Sequence, residues 1–337
     1  MKNKKILIIG GTGSLGKTLI KKFVDNNLVC VYSRDESKHW TIRNEMGHRN
    51  LSFFLGDIRD KQRCLESIMF FKPTHIILAS ALKHVDVCER SPQESIKTNI
   101  LGIENVVECV KNNHEKLEFL ETVLMVSTDK ACSPINVYGM CKSIAERIVT
   151  SASDLNLGID FIAVRYGNVL NSRGSIIPLF KYQSQHHDSI TVTDDRMTRY
   201  VMTLEESVDL IESAMMFAKT GETWIPSLPS MKVIDLAEIF SEMSGKPIKI
   251  VGMRPGEKIH EDLINEAESA RVEKKDQRYL AISPSYVMPF NETEDYTMDS
   301  SKSLMNKEDL KRYLQDLNIL DKKISDFVGK NIDEVKK

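Results

Sequence analysis

Lys5-Ile6-Leu7-Ile8-Ile9-Gly10-Gly11-Thr12-Gly13-Ser14-Leu15-Gly16 decides the fold. Its first five residues are a short unbroken apolar run, the pattern of a strand buried on both faces. Glycines follow at positions 10, 13 and 16, and Lys17 to Asn26 then has the periodicity of an amphipathic helix. Strand, glycine turn and helix together open a dinucleotide-binding unit. The glycines allow a tight turn and let a pyrophosphate approach the backbone N–H groups at the helix start. Gly10, Thr12, Gly13, Ser14, Leu15 and Gly16 are therefore the first candidate cofactor contacts.

Further apolar runs at Leu28 to Tyr32, Leu51 to Leu55, His75 to Ala79, Val123 to Val126 and Asp160 to Arg165 alternate with helical segments. Successive βα units imply a parallel, doubly wound sheet of the Rossmann type, with ligands beyond the carboxyl ends of its strands. The expected layout is α/β. Residues 1–170 form the dinucleotide-binding domain, and residues 171–337 form a smaller C-terminal substrate-binding α/β lobe. The segment 200–226 returns to the first domain.

Each strand end adds candidates. Ser33, Arg34 and Lys38 follow the second strand, where a basic group accommodates the 2′-phosphate of NADP. An acidic residue there takes the ribose hydroxyl of NAD instead, so the adjacent Asp35 leaves that choice open. Asp57 and Ile58 fall near the adenine edge. Ala79 and Ala81 are small enough for a cofactor to lie against the backbone. Asn99, beside Thr98 on an otherwise apolar helix, marks a bend or a cofactor contact. Val169 completes the set.

With 337 residues the chain can build one large domain or two ordinary ones. Its formal net charge of -2 argues against a nucleic-acid partner. Met1 to Lys5 resembles the basic start of a signal peptide, but the apolar run after it stops at Gly10-Gly11. No apolar stretch approaches the roughly 18 residues of a membrane span. The six cysteines form no Cys-x-x-Cys and have no histidine at zinc spacing, which points to reduced thiols, no metal and a cytoplasmic enzyme.

The fifth strand runs into the chemistry: Val126-Ser127-Thr128-Asp129-Lys130-Ala131, then Pro134, Tyr138 and Lys142. Tyr138 and Lys142 stand four apart on a helix expected to open at Pro134, so both project from one face. An ammonium near a phenol lowers the phenol pKa and suits it to proton transfer from an alcohol. Farther on, Arg254-Pro255-Gly256-Glu257-Lys258 is a basic loop. Its arginine suits bidentate phosphate contact, and its carboxylate suits ribose hydroxyls.

The glycine loop and the Tyr138/Lys142 pair resemble the extended short-chain dehydrogenase/reductase superfamily. Ala81-Leu82-Lys83-His84-Val85, Ser127 to Ala131, Arg165-Tyr166-Gly167-Asn168-Val169, Ser172-Arg173-Gly174-Ser175, Met197-Thr198-Arg199 and the Arg254 loop narrow it. Together they resemble the C5-inverting UDP-N-acetylglucosamine 4,6-dehydratases, from about Lys5 to Leu263. The resemblance implies a tightly bound, recycled NADP+, oxidation at C4 of the sugar, loss of water across C5 and C6, return of hydride to C6, and reprotonation of C5 from the opposite face. It implies that Tyr138 is the base for the 4-hydroxyl, with Lys142 tuning it and holding the nicotinamide ribose. Thr128 bonds near the 4-oxygen, Asp129 is the acid toward the 6-hydroxyl, and Lys130 is the base at C5. Lys83, Asn168, Arg173, Arg199, Arg254 and Glu257 hold the UDP-sugar. A homo-oligomer, dimer or hexamer, is also implied.

Lys130 as base requires partial deprotonation, through burial or a crowd of cations. Tyr138 favours the inverting over the retaining branch, as does the lack of the long membrane-spanning N-terminal region of many retaining relatives. A UDP-hexose 4-epimerase would need Tyr138 and Lys142 but not Asp129-Lys130. A catalytically silent NADP-binding sensor would not keep the pair, and a scaffold role leaves the Arg254 loop unexplained.

Overall fold

The computed structural model describes residues 1–170, 175–290 and 294–321. Its first half runs β1 (Lys5–Ile9), α1 (Ser14–Phe23), β2 (Leu28–Ser33), α2 (Glu36–Met46), β3 (Leu51–Leu55), α3 (Lys61–Phe71) and β4 (His75–Leu78). There follow α4 (Val85–Arg90), α5 (Pro92–Ile96), α6 (Gly102–Asn113), β5 (Thr122–Val126), α7 (Val137–Ser151) and β6 (Asp160–Val164). The second half runs β7 (Asn168–Val169), α8 (Ile176–His186), β8 (Ile190–Val192), β9 (Thr198–Met202), α9 (Leu204–Phe217), β10 (Thr223–Pro226) and β11 (Ser230–Lys232). It ends with α10 (Val233–Ser244), β12 (Ile248–Ile250), β13 (Asp262–Ile264), α11 (Glu266–Ser269), β14 (Val272–Lys274), β15 (Tyr279–Ile282), β16 (Met298–Asp299) and α12 (Lys307–Asp316).

Nine strands form the main sheet, in the order β14-β15-β10-β6-β5-β4-β1-β2-β3. From β3 to β10 every neighbour is parallel, and β15 and β14 close the edge antiparallel. This is the doubly wound α/β arrangement read from the strand–helix alternation. Side-chain alternation feeds two cores. Ile6 and Ile8 face α1 and α9, while Leu7 and Ile9 face α3, α6 and α7. Strand order reverses between β1 and β4, which opens a crevice at their carboxyl ends. A third cluster, built on α8, α10 and α12, holds the second lobe.

Three boundaries differ from the sequence reading. Pro134 does not open the catalytic helix. Asn136 does, because its side chain accepts from the Gly139 amide at 2.8 Å and satisfies a free N–H of the first turn. Residues 272–282, assigned to the second lobe, pair with β10 and extend the main sheet. The bend expected at Thr98-Asn99 is a π-helical turn over Lys97–Leu101.

Arg165 follows β6 and ties the two halves. All five of its N–H donors are used, on Glu146 of α7, Glu268 of α11 and the Leu263 carbonyl. Burial opposes the charge on Glu268, and Arg165 overcomes it, holding that carboxyl below its ordinary value. Arg165→Met leaves two buried carboxylates without their cation. It should destabilise the protein by about 3–5 kcal/mol in urea unfolding; an unchanged midpoint would remove Arg165 from this role.

Candidate active site

A cavity of about 1490 Å³ opens over the carboxyl ends of β1, β2, β4 and β5. It is lined by every described candidate from the sequence except Asn99. Arg173 lies outside the described residues.

One end of the cavity fits a dinucleotide. Gly10 has φ +89, and a Cβ there would meet the Ser80 backbone at 2.6 Å. A Cβ on Gly16 would fall 2.2 Å from the Gly11 carbonyl, so only glycine lets α1 start this close to the turn. Beside Gly13 there is open space, and α1 begins there with no side-chain cap, so its positive N-terminal end faces the cavity. The buried hydroxyls of Thr98 and Ser127 line the cavity and have no partner among the described residues. Those orphans await a polar ligand.

The side chains after β2 are arranged unevenly. Asp35 caps α2 through the Lys38 amide and pairs with the Lys38 ammonium at 2.8 Å. Its carboxylate is thus committed locally. Ser33 bonds His39 at 2.7 Å, Arg34 lies 3.8 Å from Asp57, and Asp57 is gripped by Arg59. Asn99 is also committed: its amide clamps both backbone groups of Leu82. The cavity-facing member of that helical pair is Thr98, which its burial among apolar neighbours hid from the sequence.

At the other end, β5 delivers Ser127 to Ala131 into a short turn, and α7 packs down on it. Gly139 makes this possible, since a Cβ there would come within 2.1 Å of the Lys130 carbonyl. Asp129 is 1% exposed. Its Oδ1 accepts from the Thr128 hydroxyl at 2.9 Å and from the Lys130 ammonium at 3.0 Å, and its Oδ2 has no partner among the described residues. On the far side of the ammonium stands Glu261, 3.1 Å away, a residue the sequence reading missed. Burial works against the Lys130 charge, but Asp129 and Glu261 outweigh it and raise its pKa above the ordinary lysine value. The expected crowd of cations is instead a pair of carboxylates, and Lys130 rests as an ammonium.

Burial pushes the Tyr138 phenol up to about 12, with Lys130 and Thr128 pulling it down and Asp129 opposing them. Lys142, expected to tune Tyr138, donates to the Val126 carbonyl at 2.5 Å, and burial lowers its pKa to about 8 against the pull of Glu146. The nearby cation at the phenol is therefore Lys130.

The second lobe closes over the turn. The Lys258 ammonium donates to the Cys132 carbonyl at 2.9 Å, and the Asn136 amide donates to the Gly256 carbonyl at 2.8 Å. Arg199 is spent on the carbonyls of Thr198, Lys258 and Ile259, so it staples this loop to β9. Arg254 is exposed at the cavity rim, while the Glu257 carboxylate accepts from the Arg254 amide at 3.1 Å. Lys83 and Asn168 also line the cavity, and the Asn168 Oδ1 has no partner among the described residues.

A dinucleotide crevice beside a tyrosine, two lysines and an acid defines a Rossmann-type enzyme of the short-chain dehydrogenase/reductase kind. The chain belongs to the polysaccharide biosynthesis protein family, whose model matches residues 6–283. A Methanocaldococcus jannaschii chain described as an uncharacterized membrane protein is 37% identical, over 95% of this chain and 97% of that one. The inverting UDP-N-acetylglucosamine 4,6-dehydratase of Campylobacter jejuni is 40% identical, over 85% and 84%. A UDP-glucose 4-epimerase of Rickettsia typhi is 34% identical, over 91% and 94%. Among solved structures, Pen from Bacillus thuringiensis superposes with a TM-score of 0.84 at 33% identity, covering 94% of this chain and 98% of that one. Among the described residues no helix is long and apolar enough to cross a membrane.

The depressed Lys142 pKa sets a pH dependence. Between about 8 and the unfolded value of about 10.4 the unfolded chain binds the extra proton, so stability rises with pH across that window. Lys142→Met should abolish this rise in the cofactor-free protein, a difference on the order of 3 kcal/mol. Parallel stability–pH curves for the two proteins would contradict it.

Proposed function

We propose that this protein is a UDP-N-acetylglucosamine 4,6-dehydratase that inverts C5, giving UDP-2-acetamido-2,6-dideoxy-β-L-arabino-hexos-4-ulose. The observation that carries the reading is Asp129-Lys130 beside Tyr138, with the unpartnered Asp129 Oδ2 in the cavity wall. A 4-epimerase moves protons only at the 4-oxygen and has no use for a second acid–base pair.

The cofactor of this reading is NADP, cradled by the glycine loop, with its 2′-phosphate between Ser33, Arg34 and Lys38. The Asp35 carboxylate is committed to capping α2 and to the Lys38 ammonium, which favours the phosphate over a free ribose diol. Ile58, Ala79, Ala81 and Val169 supply contact surface, and Tyr138 and Lys142 hold the nicotinamide ribose. When bound, the dinucleotide supplies the redox chemistry, taking a hydride from C4 and returning it to C6.

The protein's own side chains handle protons. Tyr138 takes the 4-hydroxyl proton in its phenolate form, which burial disfavours and Lys130 and Thr128 favour, with Thr128 also fixing that oxygen. The C4 ketone acidifies C5. Lys130 passes a proton through Asp129, 3.0 Å away, to the departing 6-hydroxyl. The freed amine accepts the C5 proton. After hydride returns to C6, solvent reprotonates C5 from the opposite face and Tyr138 releases the 4-hydroxyl proton to solvent, so the site ends with the same proton count. Lys83, Asn168, Arg254 and Glu257 engage the UDP-sugar. The role expected of Arg199 there becomes holding the loop that carries Arg254 and Glu257, and Arg173 remains part of the proposed substrate set.

Incubation with UDP-N-acetylglucosamine alone should yield a 4-keto-6-deoxy product with no net NADPH. Proton NMR in deuterated water should show deuterium at C5 and inverted configuration there. A 4-epimer as sole product, or no turnover, sinks the reading. Arg34→Ala should weaken NADP binding about tenfold while leaving NAD binding unchanged, by calorimetry. Equal weakening of both removes Arg34 from phosphate recognition.

A further inference from the structure

We infer that Glu261 is a positioning residue of this site: with Asp129 it clamps the Lys130 ammonium from both sides and sets when that lysine can act as a base. The inference rests on the dehydratase reading for its catalytic meaning, though not for its geometry.

Glu261 lies just before β13, in the segment that follows the Arg254 loop. Its side chain is 3% exposed. A carboxylate so buried needs partners. It has one full ion pair, Oε1 to Lys130 Nζ at 3.1 Å, and a longer approach to Arg199 Nε at 3.9 Å. Its Oε2 has no partner among the described residues, and the residue lines the cavity. The backbone is pinned as well, because the Glu261 amide donates to Ser300 Oγ at 2.9 Å. A fixed backbone and a single strong contact make this side chain a clamp on Lys130.

The charges facing Lys130 come from three directions. Asp129 belongs to its own turn, Glu261 to the second lobe and Arg199 to β9, with the Tyr138 phenol on α7. Two carboxylates against one distant guanidinium keep the ammonium. Removing one carboxylate tips the balance toward the free amine. The second lobe thus reaches back and holds the proton that the turn after β5 must release.

The test reads Lys130 directly. Reductive methylation followed by peptide mass spectrometry reports how much Lys130 is unprotonated, with no substrate present. In Glu261→Gln the Lys130 labelling rate at about pH 9 should rise about tenfold, one unit of pKa, while other lysines keep their rates. Turnover of UDP-N-acetylglucosamine by the same variant should fall in kcat by about tenfold or more, change little in KM, and shift its pH profile toward acid. If Glu261→Gln does not fold, Glu261→Asp withdraws the carboxylate by one methylene and should show the same shift at smaller size. An unchanged Lys130 labelling rate in a folded variant overturns the inference. So does a change confined to KM with the pH profile intact, since that makes Glu261 a sugar contact only. A wild-type protein that does not convert UDP-N-acetylglucosamine sinks the functional reading instead, and the labelling result separates the two failures.

Discussion

A single buried cation organises this molecule. Arg165 leaves the sixth parallel strand and reaches Glu146 on the catalytic helix and Glu268 beyond the second-lobe loop. Cys132, two residues past Lys130, donates to the same Glu268. Sheet, helix, catalytic turn and second lobe therefore meet at one guanidinium. Arginine suits this place because its planar fork serves two carboxylates and a carbonyl at once, and it keeps its charge when buried. Tyr138 and Lys142 sit on the helix that Glu146 anchors, so their aim toward the crevice depends on it.

The site uses burial in two opposite ways. Lys142 is buried with no close carboxylate contact, and its charge becomes costly. Lys130 is flanked by two carboxylates, and its charge is secured. Two lysines on adjacent elements are thus set at different proton affinities by their neighbours alone. The Tyr138 phenol lies near Lys130 and is pushed up by burial to about 12. The resting protein is therefore a store of held protons.

The parallel sheet was legible in the sequence because strands buried on both faces read as unbroken apolar runs, as β1 and β5 do, while the edge strand β3 still shows a mostly apolar run. The glycine loop was legible because it stands between such a strand and a helix. Pro134 misled because proline is common at helix starts, whereas the side-chain bond of Asn136 is the stronger determinant. The β14–β15 hairpin was hidden in a charged, weakly periodic stretch. Asn99 and Arg199 were found as polar residues near the crevice, but no pattern reveals that their donors are already spent on backbone. Glu261 was missed for the converse reason. Its neighbour in space, Lys130, is far away in the chain, and its only signal was closeness to the Arg254 loop.

Asn136 offers a last consequence. Its oxygen serves the start of the catalytic helix, and its nitrogen serves the Gly256 carbonyl in the loop that carries Arg254 and Glu257. Aspartate, serine or threonine could do the first task, but none of them reproduces both. One amide therefore fixes the start of that helix and the position of the loop at the same time, so the register between the two lobes at this point hangs on a single side chain.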